Sequence, residues 1–185
     1  MKNTLARLGP LPGDPSAAEL TERMIRVDQA GEYGAKRIYA GQLAVLGDGK
    51  DGPMLREMAE TEERHLARFN EMIAQRQIRP TALQPVWHLA GFALGAGSAL
   101  IGREAAMACT VAVEEVIEEH YWDQSEILGD QEAELKTVIE EFRADEIAHK
   151  QSAIEAGAEK APAYPLLSAA VKTGSRLAIW LSERI

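Results

Sequence analysis

Glu62-Glu63-Arg64-His65 and Glu146-Ile147-Ala148-His149 decide how this chain folds. Each is a Glu-x-x-His step set in the middle of an apolar stripe of helical period. Residues three apart share one helix face, so each step puts a carboxylate beside an imidazole. Glu62 shares its face with Leu55, Met58, Ala59, Leu66 and Phe69; Glu146 shares its face with Leu135, Ile139, Phe142 and Ala153. A carboxylate among such neighbours is costly unless its charge is compensated, and a bound cation is the simplest compensation.

The same fault in an apolar pattern occurs twice more. Glu114 lies with Met107, Thr110, Val111, Ile117 and Tyr121, whereas Glu115 goes with Glu118, Glu119 and Trp122, a face read as solvated. Glu32 lies with Ile25, Ala35, Tyr39 and Leu43, in a stripe blurred by Asp28, Gln29 and Lys36. The step from lone Glu to Glu-x-x-His is 30 residues in the first half and 32 in the second, an internal repeat of two helix pairs. Four helices with one inward carboxylate each, two of them with an added His, match the pattern of ferritin-like di-iron or di-manganese bundles. Two divalent cations would balance the four carboxylates. The ligand set is Glu32, Glu62, His65, Glu114, Glu146 and His149. Without a thiolate it suits iron or manganese, with open positions for oxygen and hence oxidation or hydroxylation. His120 and Tyr121, in the helix of Glu114, are candidates for catalytic support around those ligands, with satisfied core polar groups as the alternative. Tyr39 has the same two readings, and His88 reads as a core or interface histidine.

The rest of the chain sets limits. With 185 residues and 46% hydrophobic content, one domain with a sizeable core is expected: 16–185, after a flexible tail over 1–15. A net charge of −9 argues against a nucleic-acid partner. The lone Cys109 excludes an intrachain disulfide and a four-cysteine metal site. The start, Met1 to Pro15, carries three prolines and no apolar core of a signal peptide. Strand-like alternation is almost absent, so the chain reads as all-α. Helices are expected from Ser16 to about Leu46, Pro53 to about Gln77, Val86 to Ile101, onward to about Leu128, about Gln131 to Ala156, and Leu166 to Arg184. Glycines 31, 34 and 41 suggest close backbone packing in the first helix.

The apolar run Val86–Ile101 is a long crossover, as a ferritin-like bundle requires. It reads as a buried crossover helix or as a lipid-facing wall; His88, Ser98 and three glycines disfavour a membrane span. The last helix sets Lys172, Arg176 and Arg184 beside Leu177, Ile179, Trp180 and Leu181, either an amphipathic core helix or an interfacial one with its basic residues near headgroups. Together, the two apolar segments are expected to lie side by side as one exposed patch.

Longer motifs carry a resemblance. Arg26-Val27-Asp28-Gln29-Ala30-Gly31-Glu32-Tyr33-Gly34-Ala35 resembles the first-helix signature of the 5-demethoxyubiquinone hydroxylases. Thr110-Val111-Ala112-Val113-Glu114-Glu115, Phe142-Arg143-Ala144-Asp145-Glu146 and Leu181-Ser182-Glu183-Arg184 are similar to its later motifs, so that the likeness covers about residues 20–185. The resemblance implies a ferritin-like fold and two iron ions held by the six residues above, with Glu62 and Glu146 bridging. It implies hydroxylation of 2-polyprenyl-3-methyl-6-methoxy-1,4-benzoquinol, with O2 supplying the inserted atom and NADH or another donor the electrons. A peripheral enzyme on the cytoplasmic side of a bacterial cell membrane follows, its partners being the polyprenyl quinol, the lipid surface, and a second copy or a lipid-presenting accessory protein. Three alternatives stand beside it: a transfer-RNA-modifying hydroxylase, which the negative charge disfavours; a ferritin-type storage protein, which needs a cage-forming surface; and a metal-free lipid-binding scaffold, which metal content would decide.

Overall fold

Ser16 starts the first helix with a reciprocal cap. Its hydroxyl accepts from the Glu19 amide at 3.2 Å, and the Glu19 carboxylate accepts from the Ser16 amide at 2.8 Å. The computed structural model describes residues 14–185, so the expected tail lies outside the described residues apart from Asp14 and Pro15. Six α-helices follow: α1 (Ala17–Leu46), α2 (Gly52–Arg76), α3 (Gln84–Ile101), α4 (Arg103–Ile127), α5 (Ala133–Glu155) and α6 (Tyr164–Ser182). No strand occurs among the described residues. Residues 130–132 form a 3-10 turn rather than the first turn of α5, and Pro85 and Pro165 sit inside the first turns of α3 and α6.

The direction of each helix follows from where its buried glutamate sits between two apolar clusters. One cluster gathers Tyr39, Leu55, Met58, Met107, Val111 and Ala153. The other gathers Ile25, Phe69, Met72, Tyr121, Leu135 and Ile139. Along α1 the chain passes from Ile25 through Glu32 to Tyr39, and along α5 from Ile139 through Glu146 to Ala153. Along α2 it passes the opposite way, from Met58 through Glu62 to Phe69, and along α4 from Val111 through Glu114 to Tyr121. α1 and α5 thus run one way, α2 and α4 the other. Since α2 and α4 are parallel, the chain must return along the bundle between them, which is the topology of a ferritin-like bundle. α3, 18 residues long, spans about 27 Å and makes that return.

The crossover is not buried, as one sequence reading had it. α3 packs on α1 through Gly91 and Gly95, also buries Ser98 and Ala99, and exposes Val86, Leu89, Leu100 and Ile101. The contact is backbone on backbone. A Cβ at Gly95 would stand 1.9 Å from the Ile38 carbonyl oxygen, and one at Gly41 would stand 2.3 Å from that of Phe92. Gly95→Ala is therefore expected to lower stability by about 2 kcal/mol, as overpacking does. Gly97→Ala, with nothing within 4 Å, should be neutral or stabilising by up to about 1 kcal/mol; thermal melting of the two variants checks this.

Gly31 and Gly34 differ from Gly41: a Cβ at either would meet nothing within 4 Å, although the Gly34 carbonyl oxygen itself lies against Gly91, where a Cβ would stand 2.9 Å from it. They face a slot of about 310 Å³, floored by α1 and α4 and flanked by α3 and α6. α3 and α6 do not pack side by side along their lengths but meet at one end, where Trp87 Nε1 donates to Ser182 Oγ at 3.0 Å. The outer face of α6 exposes Leu166, Leu177 and Trp180. Its basic residues are engaged within the chain rather than free at a rim: Lys172 pairs with Glu115 and Arg176 with Glu119. Glu118 likewise pairs with Arg143 and Lys150, so the face read as solvated is largely an ionic seam joining α4 to α5 and α6. No described helix is long and apolar enough to cross a membrane.

Candidate metal centre

Between the two apolar clusters, all four bundle helices aim a carboxylate at one point. Glu32, Glu62, Glu114 and Glu146 are each at most 1% exposed, and His65 is fully buried. Two overlapping groups form: Glu32, Glu62, His65 and Glu146, and Glu62, Glu114, Glu146 and His149, the ligand-type atoms of each lying within 4.8 Å of one another. Glu62 and Glu146 belong to both. The imidazoles turn Nδ1 inward. His65 Nδ1 lies 3.2 Å from Glu146 and 3.5 Å from Glu32; His149 Nδ1 lies 3.2 Å from Glu62 and 3.4 Å from Glu146.

Glu32 Oε2, both oxygens of Glu62, Glu114 Oε2, both oxygens of Glu146, His65 Nδ1 and His149 Nδ1 are buried without a directed hydrogen bond. Buried polar atoms are normally paired. A convergent set of unpaired acceptors is what cation binding needs, and the donor chemistry of carboxylate and imidazole fits iron or manganese. This buried carboxylate–histidine cluster suits a metal site.

Tyrosines fix the two remaining carboxylate oxygens. Tyr39 donates to Glu114 Oε1 at 2.5 Å, and Tyr121 donates to Glu32 Oε1. Burial, then the neighbouring carboxylates, push both phenols well above their ordinary range, so they remain donors. Of the two residues marked for catalytic support, Tyr121 touches the cluster. His120 does not: it lies 3.3 Å from Asp28 Oδ1, and Gln124 Nε2 bonds to both. His88 is half-buried on α3 with its Nδ1 2.7 Å from the Tyr33 hydroxyl.

Several residues were not singled out from sequence. Asp145 Oδ2 lies 3.0 Å from Nε2 of His65, the ring nitrogen turned away from the cluster. Asp28, Gln29, Gln42 and Gln124 are buried polar residues, and Gln29 bonds Asn70. The signal was present, because Asp28 and Gln29 break the α1 stripe as Glu32 does, but there it only blurred the pattern.

Without metal, protons take over the charge balance. Burial, then the Glu146 carboxylate, hold the Glu62 and Glu114 carboxyls well above their usual range. Burial opposes protonation of His65, yet Glu146 and Glu32 outweigh it and push the imidazole up to about 10. Burial also works against ionisation of Glu146, but the contacts from His149 and His65 bring it down to about 2. The signs fix a pH window. The raised carboxyls favour the folded metal-free protein at low pH and cost stability as pH climbs above about 4.5. The raised His65 contributes stability below about 6.5 and loses it as pH rises through about 10. Glu146 acts oppositely, but only as pH falls from about 4.5 towards 2. Metal-free protein should therefore melt higher at pH 5.5 than at pH 8.5. Divalent-metal binding near pH 7.5 should release more than one proton per chain, read by calorimetry in buffers of different ionisation enthalpy. A melting temperature that rises with pH in the metal-free protein would contradict this charge assignment.

Comparison with known proteins agrees with this architecture. Residues 19–182 match the family described as ubiquinone biosynthesis protein COQ7. The chain is 57% identical over 176 residues to the 3-demethoxyubiquinol 3-hydroxylase of Rhodospirillum rubrum, covering 95% of this chain and 83% of that one. It is 50% identical over 168 residues to the NADPH-dependent 3-demethoxyubiquinone 3-hydroxylase, mitochondrial, of Homo sapiens, covering 89% and 77%. It is also 42% identical over 189 residues to the 5-demethoxyubiquinone hydroxylase, mitochondrial, of Saccharomyces cerevisiae, covering 93% and 81%.

Proposed function

The chain belongs to the COQ7 family of ubiquinone biosynthesis proteins, and from that premise we infer that its carboxylate–histidine core is a di-iron centre that hydroxylates a demethoxyubiquinol ring. The hydroxylation itself is the family's reaction, which makes the chain a monooxygenase of ubiquinone biosynthesis. The substrate we assign is the polyprenyl methoxy-benzoquinol named by the resemblance. The observation that carries the iron assignment is the set of unpaired carboxylate and imidazole atoms converging from four helices.

Glu32, Glu62, His65 and Glu146 would hold one iron, and Glu62, Glu114, Glu146 and His149 the other. When bound, the metal pair would supply reduction of O2 and insertion of one oxygen atom into the ring, the second leaving as water. The electrons come from a reduced nicotinamide, NADH or NADPH; the human relative's name specifies NADPH. The chain's own residues do the positioning. Tyr39 and Tyr121 hold the carboxylates of Glu114 and Glu32 by their outer oxygens. His120 stands outside the cluster, paired with Asp28 and Gln124.

The slot supports the quinol part of the reading. It is lined almost wholly by apolar and small residues, with Gly31 next to Glu32 and Val113 next to Glu114 in its floor. The ring would lie over the two lone glutamates and the isoprenoid tail between α3 and α6, excluding water. The exposed Leu89, Leu177 and Trp180 beside that opening support peripheral attachment to a bilayer; the cytoplasmic side of the cell membrane is our assignment from the resemblance alone. Two measurements test this. Iron-loaded protein given reductant, demethoxyubiquinol and 18O2 should place one labelled atom in the product, and an unlabelled hydroxyl would refute the reading. Flotation with zwitterionic liposomes should be lost in Leu89→Glu/Leu177→Glu; a variant that floats as well as wild type would refute membrane docking.

A further inference from the structure

The internal repeat is followed closely in geometry and broken in chemistry. Tyr39 lies seven residues after Glu32 and Tyr121 seven after Glu114, and each donates to the other's glutamate. Gln42 and Gln124 lie three residues beyond those tyrosines. Gln42 Nε2 donates to Thr110 Oγ1 at 3.2 Å, and Gln124 Nε2 to Asp28 Oδ1 at 2.8 Å; both acceptors lie four residues before a lone glutamate. The halves thus superpose in role. The residue just before each Glu-x-x-His step breaks the match: Asp145 before Glu146, but Thr61 before Glu62. Asp145 Oδ2 lies 3.0 Å from His65 Nε2. Thr61 instead accepts from Arg64 Nη2 at 2.9 Å. No hydrogen bond or ion pair reaches His149 Nε2 among the described residues, and that side chain is 10% exposed where His65 is fully covered.

An imidazole that ligates through Nδ1 carries its proton on Nε2. A carboxylate accepting that proton fixes the tautomer, locks the ring and strengthens the nitrogen as a donor. Phe142, stacked on the face of His65 at 3.8 Å between ring centroids, restrains the tilt of the imidazole. Resting on the di-iron reading above, we propose that Asp145 makes the two metal positions unequal: it is the positioning residue through which the Glu32/His65 position keeps its metal more tightly than the Glu114/His149 position. The first position fills first and empties last.

The test separates the positions with single-site proteins. His149→Ala leaves the His65 position intact, and His65→Ala leaves the His149 position intact. Cobalt(II) affinity of each, by titration calorimetry under anaerobic conditions, is compared with and without Asp145→Asn. Asp145 is half-exposed, so this near-isosteric change leaves the core untouched. Its effect should fall on one background only: a 10–100-fold loss of affinity in His149→Ala and less than about twofold in His65→Ala. In otherwise wild-type protein, Asp145→Asn should merge two resolved binding steps into one. Equal losses on both backgrounds, or none on either, overturn the proposal while leaving the metal centre standing. Wild-type protein that takes up no cobalt and no iron overturns both.

Discussion

Glu146→Gln should abolish hydroxylation and also destabilise the metal-free protein, whereas Glu62→Gln should abolish hydroxylation alone. The two glutamates occupy equivalent places in the repeat and both belong to the two ligand groups. Their charges differ in the absence of metal. Glu146 stays ionised between two imidazoles, 3.2 Å from His65 and 3.4 Å from His149. Removing it takes the nearest carboxylate from the inner nitrogen of a protonated His65, which keeps Glu32 at 3.5 Å and Asp145 at 3.0 Å, so the cost lies at the low end of the about 3–5 kcal/mol for breaking a buried pair. For a chain of this size that is a fall in melting temperature on the order of 10 °C. The Glu62 carboxyl is held well above its usual range, first by burial and then by Glu146, so it keeps its proton to higher pH than Glu146 does. An amide of the same shape replaces it with little change, or with a small gain from lost repulsion. Melting of both metal-free variants beside their turnover reads the contrast, and equal destabilisation by the two would contradict the charge assignment.

Filling the slot should separate substrate access from metal binding. Gly34 on α1 and Gly174 on α6 both line it, and a Cβ at either meets nothing within 4 Å. Leucine there also replaces a poor helix former with a good one, worth about 0.8 kcal/mol. Gly34→Leu and Gly174→Leu should thus melt no lower than wild type and bind metal normally. Their kcat/KM on long-tail quinol should fall at least ~100-fold, since the space the substrate would occupy is taken. Loss of metal in these variants would mean the slot is part of the bundle's support. Full activity with a filled slot would mean the quinol enters elsewhere.

The repeat of glutamates was legible because a buried carboxylate contradicts its own helix pattern. The two Glu-x-x-His steps, the lone Glu114, the four-helix order and the need for a crossover all follow from residues within one or two turns of each other. What stayed hidden depends on contacts between helices. Asp145 sits beside Glu146 in sequence, yet its partner His65 is 80 residues away on α2. Gly31, Gly34 and Gly41 look alike in α1, but only at Gly41 would a Cβ strike the backbone of α3; at the other two it would enter open space bordering the slot. Val86–Ile101 was ambiguous because an apolar run does not say which side is covered. Glycine and serine, rather than its large aliphatics, turned out to face the bundle. Lys172 and Arg176 suggested a lipid rim, but the acidic run 115–119 that pairs them lies on another helix.

The central claim is that six side chains from four helices hold two metal ions at one point. Anaerobic iron(II) titration of the metal-free protein, followed by Mössbauer spectroscopy, tests it most directly. The account predicts two irons per chain in wild type, forming a magnetically coupled pair once oxidised, and none retained in the Glu62→Ala/Glu146→Ala double variant. Binding of two irons that persists undiminished in the double variant, or a wild-type protein saturating with uncoupled iron, would contradict it.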